Sequence, residues 1–469
     1  MLQRRTTQGS PLTTAPSRVM AAPSRGAFLK QTAATAVTLG AGALAATGGT
    51  GVATAAATSI PAVNLSGRAA VTIDVAHPGS VAFSTRLVGL LIQQFEAEHP
   101  TIKVNLIPTA TTGWQQYFAE MLTRIAGGNI PDIMRVEWEG VALFAQHNAL
   151  RPLDDLLARD AAYAEELHAD TAPLLWRALT YKGQQLALPF TWLTTVLWYN
   201  AGLLARPAAA WTGRDFLAMC ARLKKQGRYG VGLPGYDALW GLEAWSAAAG
   251  GALLDKSGTR STATERGNQA AWTFLYDVVH TYKYAPRQSA NFPYATFFES
   301  GRLGSLVDIA RSPVRGFQDD GFCSATSCVA DVQTLPALGG GPRKTLVVPD
   351  GFPIMRASKH PEAAWEFVKY LSSRQGMATY MRGRGKYLPT RRSLAYDGRY
   401  MAPPAHYRTF YDALLTEGAS PSAPPAASYF EVQSTAYTWY SRMMAGEASP
   451  SAALAGLDRD LTAILSRPV

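Results

Sequence analysis

The stretch YKGQQLALPFTWLTTVLWYN, residues 181–200, carries most of the information about the fold. It begins with a turn at residues 181–183 and continues as a short extended run over residues 186–189. Residues 191–199 are then rich in the β-branched and aromatic side chains that favour strands. We expect this segment to form a strand that crosses between two lobes and ends in a turn.

Strands alternate with helices on the amino-terminal side of this segment. Residues 71–75 and 104–107 have the composition of strands, and between them Val88, Leu91 and Phe95 lie on one apolar helical face. This alternation is typical of parallel α/β layers. A mature chain of about 410 residues exceeds a single ordinary core, so the sequence predicts two domains.

Several motifs follow one another in the order found in a known family. Residues 183–189 read Gly-x-x-x-x-Leu-Pro, and residues 127–133 read Gly-Gly-Asn-Ile-Pro-Asp-Ile. Further matching segments are residues 95–104, 150–154, 298–305, 360–367 and 387–390. Together they resemble the extracytoplasmic solute-binding proteins of ABC importers, in the large carbohydrate-type branch that is similar to maltose-binding protein. Gly304 and Ser305 depart from the usual Ala-Met of that branch.

The resemblance implies an α/β, two-lobed periplasmic-binding-protein fold with a hinge and a ligand cleft between the lobes. We expect a discontinuous first lobe of residues 71–188 and 305–350. The second lobe would comprise residues 189–304 and 351–469, including the C-terminal helices. Residues 58–70 would link this body to a leader.

The first 57 residues resemble an export signal. They contain five basic residues and no acid, followed by an Ala/Thr/Gly-rich run that ends in Ala55-x-Ala57. Residues 24–30 resemble the twin-arginine signal, with Gly26 in place of the second arginine, so the sequence leaves Tat and Sec export open. No cysteine lies near the cleavage region, so we expect a periplasmic protein without a lipid anchor.

Charge and cysteine content exclude several classes of protein. Without the leader the net charge falls from +10 to +5, and the remaining basic residues occur in short pairs, which argues against nucleic acid binding. Three cysteines are too few for a metal cluster. Cys220 lies on an apolar helical stripe and is expected in the core, whereas Cys323 and Cys328 are expected to form a local disulfide.

A sugar presents apolar C–H faces bordered by hydroxyl groups, so its site needs aromatic surfaces together with carboxylates or amides. The chain has 11 Trp and 20 Tyr, although any single Trp can equally pack in the core. By the resemblance, Trp138 and Glu139 lie over the cleft, and Trp240 occupies a position where maltose-type binders stack an aromatic ring. Further candidates are Trp192 on the crossover strand and Glu243 near Trp240.

Four more candidate ligand contacts come from segments that depart from the family pattern. Asp308 and Arg311 replace small or amide residues and a Trp, so Arg311 could face an anionic ligand group or pair with Asp308. Asp350 and Phe352 lie in a turn that is Gly-Gly-aromatic in the family. His77, at the end of the first strand, is another candidate.

The sequence favours a subunit that traps a carbohydrate or related polar solute for a membrane permease, and we expect a mono- or oligosaccharide. We expect a monomer that is not an enzyme and binds no cofactor, metal or nucleic acid. A secreted carbohydrate-active hydrolase is the first alternative, because Glu139, Asp308 and Asp350 could supply paired carboxylates. A ligand sensor that is not coupled to a permease is the second.

Overall fold

The crossover segment forms two strands that belong to two different sheets. In the computed structural model, β7 (Pro189–Leu193) and β8 (Thr195–Asn200) are separated at Thr194. Strand β7 pairs with strands of one sheet, whereas β8 pairs with strands of another. The expected crossing between two lobes is therefore present, and it takes place within one residue.

The structure describes residues 70–111, 113–233, 238–287, 292–309, 329–339, 343–382, 387–419, 424 and 426–467. The expected leader, the linker up to residue 69, Arg311 and the expected Cys323–Cys328 disulfide lie outside these ranges. The remaining strands are β1 Val71–Pro78, β2 Ile102–Thr109, β3 Ile133–Met134, β4 Val136–Glu137, β5 Thr180–Tyr181, β6 Gln184–Gln185, β9 Tyr229–Gly232, β10 Leu303–Ile309, β11 Ala330–Gln333, β12 Thr345–Leu346, β13 Val348–Gly351, β14 Leu388–Pro389 and β15 Gly418–Ala419.

The helices surround these strands. They are α1 Val81–Glu98, α2 Trp114–Ala126, α3 Trp138–Gln146, α4 Asp154–Arg159, α5 Ala161–Ala169, α6 Pro173–Arg177, α7 Gly213–Lys225, α8 Ala238–Ala248, α9 Arg266–Tyr276, α10 Tyr294–Glu299, α11 Pro361–Ser372, α12 Arg374–Arg382, α13 Arg392–Ala395, α14 Gly398–Met401, α15 Arg408–Glu417, α16 Tyr429–Ala445 and α17 Pro450–Leu465. Asp277–Thr281 is a short π-helix, and Ala426–Ser428 is a 3₁₀-helix.

The first lobe contains two sheets that meet near Ile133. A parallel sheet has the strand order β2-β1-β3, and an antiparallel sheet has the order β14-β7-β13-β4. An isolated bridge between Ile133 and Ile354 connects them. Helices α1, α11 and α12 pack together on this lobe, and their apolar faces enclose Phe95, Trp365 and Phe367.

The second lobe is built on the sheet β11-β8-β10-β9. Helices α8, α9, α16 and α17 pack against one another beside it and enclose a core that includes Trp245 and Trp272. Cys220 is a buried free thiol in the same core, which confirms its expected position. A capping box between Thr212 and Asp215 starts α7, as the sequence predicts.

The sheet pairing changes the expected lobe boundaries. Residues 305–350 were expected in the first lobe, but β10 and β11 pair with β8 in the second-lobe sheet. Conversely, residues 351–469 were expected in the second lobe, but α11 and α12 pack on the first lobe. Both β10 and β11 are short, largely buried strands, and only their long-range partners determine which sheet they join. Within the described ranges, no helix is long and apolar enough to span a bilayer.

Candidate ligand-binding site between the lobes

A carboxylate of the first lobe meets an amide of the second. Glu139 is the second residue of α3 and is only 6% exposed, and Gln433 on α16 is 4% exposed. Gln433 Nε2 donates to Glu139 Oε2 at 3.2 Å. Because α3 follows β4 of the first lobe and α16 packs on α8 of the second, this contact joins the two lobes. The candidate Glu139 therefore lies at the lobe boundary.

Glu243 is a second carboxyl group in this region. It lies on α8, which packs against α16, and its side chain is partly buried. Burial, together with the negative charge of Glu139, raises the pKa of Glu243 to about 8. The structure thus places two of the expected ligand residues, Glu139 and Glu243, within electrostatic reach of each other.

Trp138 lies beside these polar groups at the start of α3. It is 9% exposed and belongs to the same hydrophobic cluster as Leu193 of the crossover segment and Ala244 of α8. Its ring is therefore part of the apolar surface where the lobes meet. Its contact with a ligand stays a prediction.

Two other candidates, Asp350 and His77, belong to a buried polar network inside the first lobe that is centred on Arg135, and a third, Phe352, packs against it. The Asp350 carboxylate accepts a hydrogen bond from Arg135 Nη2 at 2.6 Å and two from Thr191, at 2.6 Å from Oγ1 and 3.2 Å from the backbone N–H. Phe352 stacks on the His77 ring with a centroid separation of 6.4 Å. All of these residues are buried. Burial of the Arg135 guanidinium without a carboxylate partner would carry a large desolvation cost. The network therefore stabilises the fold as a unit.

The tautomer of His77 follows from its neighbours. Arg135 Nη1 lies 3.1 Å from His77 Nε2, and a guanidinium group can only donate. Nε2 must then accept, so the ring proton resides on Nδ1, which donates to Ser84 Oγ at 2.9 Å. Burial and the positive charge of Arg135 keep the pKa of His77 well below its ordinary value. The imidazole is therefore neutral.

The remaining candidates lie elsewhere or outside the described residues. Trp192 is 1% exposed in the core, and its indole donates to Pro389 O at 3.1 Å. Asp308 is at the end of β10, and its Oδ1 accepts from the backbone N–H of Ile309 at 2.8 Å. The side chain of Trp240 and the whole of Arg311 lie outside the described part. Their roles as ligand contacts stay predictions.

Sequence reasoning missed Gln433 and Arg135. Gln433 lies on α16, and no local motif distinguishes it from other polar residues of an amphipathic helix. Arg135 stands alone between short buried strands, a position where an unpaired charge would be costly, and this was an available signal. Among the described residues, no group of three or more His, Cys, Asp or Glu side chains could hold a metal ion.

Comparison with known protein families agrees with this architecture. Residues 86–378, more than half of the chain, match the model of the bacterial extracellular solute-binding proteins. The chain belongs to this family. A relative of this solute-binding protein in Streptomyces antibioticus is 26% identical over 212 residues and is called an uncharacterized lipoprotein. That match spans 43% of this chain and 44% of the relative, so the chain covers less than half of that protein's length.

Solved structures of other solute-binding proteins share the two-lobed fold. The GacH receptor of Streptomyces glaucescens, studied without ligand and with acarbose, is 23% identical, with a TM-score of 0.67 over 85% of this chain and 99% of that one. The sugar-binding protein MalE of Xanthomonas citri is 21% identical, with a TM-score of 0.69 over 84% and 97%. UgpB of Mycobacterium tuberculosis, in complex with glycerophosphocholine, is 22% identical, with a TM-score of 0.67 over 84% and 98%.

Proposed function

We propose that this solute-binding protein is the extracytoplasmic subunit of an ABC importer and that it binds a carbohydrate between its lobes without converting it. The contact between Glu139 and Gln433 carries this proposal. It brings hydrogen-bonding groups from both lobes to one place, beside the aromatic ring of Trp138. One solved relative named as a sugar-binding protein and another solved with maltose bound support the same solute class.

The chemistry of this region suits a polyhydroxylated ligand. Carboxylate and amide oxygens accept hydrogen bonds from hydroxyl groups, and an aromatic ring packs against the apolar C–H face of a sugar. A ligand that bonds to Glu139 and Glu243 together would hold the lobes closed. Closure by a hinge is therefore expected on binding.

A thermal-shift screen of sugars followed by calorimetric titration tests the proposal. A ligand present at about 100 times its dissociation constant should stabilise the protein by about 2.7 kcal/mol. Glu139→Ala should weaken the binding of any sugar that is found. Glu120→Ala is a matched control, because Glu120 is an exposed helical glutamate that pairs with Arg124 at 3.0 Å. Equal affinities of the two variants would refute the assignment of the site.

Small-angle scattering with and without a saturating sugar tests the hinge. Identical profiles would contradict closure. Incubation of the protein with oligosaccharides, followed by analysis of the products, separates a binder from a hydrolase. We expect the sugar to be recovered unchanged, and turnover would refute the binding role.

Export and partners complete the proposal. Membership of an extracellular family supports an exported protein. We propose cleavage after Ala57, function as a periplasmic monomer without a lipid anchor, and delivery of the solute to permease subunits. A lipid-modified or uncleaved N-terminus found by mass spectrometry would contradict the expected processing. Normal sugar uptake in a strain that lacks this gene would contradict the coupling to a permease.

A further inference from the structure

The carboxyl ends of the parallel strands of the first lobe meet at one edge of their sheet. His77 is the next-to-last residue of β1, and Arg135 directly follows β3 and donates its backbone N–H to Ala76 O at 3.0 Å. Strand β1 lies in the middle, with β2 on one side and β3 on the other, so the chain changes direction across the sheet here. Open parallel sheets bind their ligands beside the carboxyl ends of the strands at such a point. We therefore expect a ligand of the first lobe near His77 and Arg135.

Two partly exposed aromatic rings lie over the guanidinium group of Arg135 at this edge. Arg135 Cζ is 5.4 Å from the centroid of the Tyr387 ring and 5.9 Å from that of the Trp114 ring. Tyr387 directly precedes β14, and Trp114 is the first residue of α2, the helix that follows β2. Arg135 itself is only 1% exposed. The two rings, here called the aromatic pair, thus each adjoin a buried cation and keep part of their area at the surface.

The aromatic pair is connected to the candidate site through α3. The Trp114 and Phe118 rings are 5.6 Å apart, measured between centroids. Phe118 packs against α3 at Gly140, where an added Cβ atom would come within 2.6 Å of the Phe118 Cζ. Glu139 precedes Gly140 on the same helix. Trp114 and Glu139 therefore belong to one region of the first lobe.

The polar network holds Arg135 in one orientation. Its Nη1 donates to His77 Nε2 at 3.1 Å, and its Nη2 donates to Thr191 Oγ1 at 3.3 Å and to Asp350 Oδ2 at 2.6 Å. The negative face of an aromatic ring attracts a cation, and this attraction is stronger where water is excluded. A guanidinium group that is fixed by three hydrogen bonds therefore restrains the rings that lie over it.

We propose that the aromatic pair stacks on the C–H faces of the bound sugar and that Arg135 is a positioning residue. It holds both rings in the orientation for binding without touching the sugar. Side chains that must be immobilised when a ligand binds lower its affinity, so rings that are already restrained bind more tightly. Asp350 and His77 then act on the ligand only through Arg135. This inference rests on the proposed function, because it assigns further residues to the same site.

Calorimetric titration with maltotriose and cellobiose, combined with thermal melts, tests the positioning role. The pair variant, Arg135→Met with Asp350→Leu, removes the cation together with its counter-charge, so it should keep most of the stability of the unaltered protein. Met is flexible and makes none of the hydrogen bonds that fix the guanidinium group. We expect the pair variant to bind the sugar at least about fivefold more weakly. A purely structural ion pair would leave the affinity of this folded variant unchanged.

Trp114→Ala and Tyr387→Ala test the contact with the sugar directly. Each should weaken binding by about tenfold, by analogy with stacking on bases. Lys369→Met is the matched control, because Lys369 is a 3% exposed cation that pairs with Asp160 at 2.8 Å. Its Nζ lies 5.8 Å from the centroid of the Trp365 ring, which is fully buried. This control should lose stability and keep its affinity, since a buried ring cannot stack on a sugar.

The outcomes separate the inference from the proposed function. Weaker binding by the folded pair variant and by both ring variants supports the inference. Unchanged affinity of the pair variant or of either ring variant, or an equal loss of affinity in Lys369→Met, overturns it and leaves the carbohydrate-binding function standing. If no sugar in a wider panel binds the unaltered protein, the proposed function fails and the inference falls with it.

A second pair variant keeps the test decisive if the first does not fold. Arg135→Gln with Asp350→Asn also removes both charges, but it keeps hydrogen-bonding groups at the two positions. It should bind the same sugar more weakly, because no cation remains beside the rings. Unchanged affinity of this variant would overturn the positioning role.

Discussion

Replacement of Asp350 by alanine should leave the buried positive charge of Arg135 without a counter-charge. The side chains of Arg135 and Asp350 are 2% and 3% exposed, and their closest atoms are 2.6 Å apart. The variant removes a carboxylate that accepts three hydrogen bonds, one from Arg135 and two from Thr191. Breaking a buried pair by removing one partner costs about 3–5 kcal/mol, and we expect a loss in this range.

Equilibrium unfolding in urea measures this loss. The ligand-free variants should be compared by their midpoints, provided that the slopes of the transitions agree. Asp155→Ala is the matched control, since Asp155 pairs with Arg151 at 2.7 Å but is 65% exposed. An exposed pair of this type contributes about 0.3–0.5 kcal/mol. The two Asp→Ala changes remove the same chemical group and differ in burial.

A double variant separates the ion pair from its surroundings. Arg135→Met combined with Asp350→Leu leaves no uncompensated charge and should recover most of the lost stability. A loss below about 1 kcal/mol for Asp350→Ala, equal to that of the control, would refute the argument that burial sets the cost. If the stability loss of the double variant equalled the sum of the losses of its two single substitutions, the two side chains would not act as a pair.

Three further predictions concern the two tryptophans and His77. Trp192→Ala should lower the free energy of unfolding by about 3–5 kcal/mol, because the variant loses a buried ring and the hydrogen bond from its indole to Pro389 O. A loss below about 1 kcal/mol in a thermal melt would contradict the core position of Trp192. Trp138→Ala should weaken sugar binding by roughly 1–3 kcal/mol, by analogy with stacking on bases, and an unchanged affinity in titration would remove it from the site. Since the pKa of His77 is lowered, the unfolded state takes up an extra proton as the pH falls below about 6.5, and stability should decline there. His77→Gln should flatten that decline in pH-dependent melts; an unaltered slope would contradict the buried neutral imidazole.

The sequence predicted the features of the fold that depend on local patterns. The β-branched and aromatic run around Trp192 produced the crossover strands, and the Thr212–Asp215 capping box starts α7. The sheet to which β10 belongs was not predictable, because strand composition does not specify a partner. The resemblance to a known family supplied the lobes, but it did not supply their boundaries.

The sequence indicated only part of the candidate site, because some of its contacts join residues that are far apart in the chain. Glu139 and Glu243 were named as candidates from their positions in motifs, whereas Gln433 was not. Gln433 is 294 residues from Glu139 in sequence, so their contact exists only after both lobes have formed. Arg135 and Asp350 are 215 residues apart, and neither residue's sequence neighbours indicate that the two form an ion pair. Long-range pairing of this kind leaves no local signal.

The exchange of segments between the lobes also affects the order in which the chain can fold. The sheet of β7 is completed by β13 and β14, and the helical core beside β8 is completed by α16 and α17. Neither lobe can therefore close its core while the chain is being synthesised or threaded across a membrane from its N-terminus. Both lobes remain incomplete until their late segments emerge. Contacts of such large sequence separation are formed slowly, so a partly emerged chain exposes apolar surface for longer than a chain of sequential domains would.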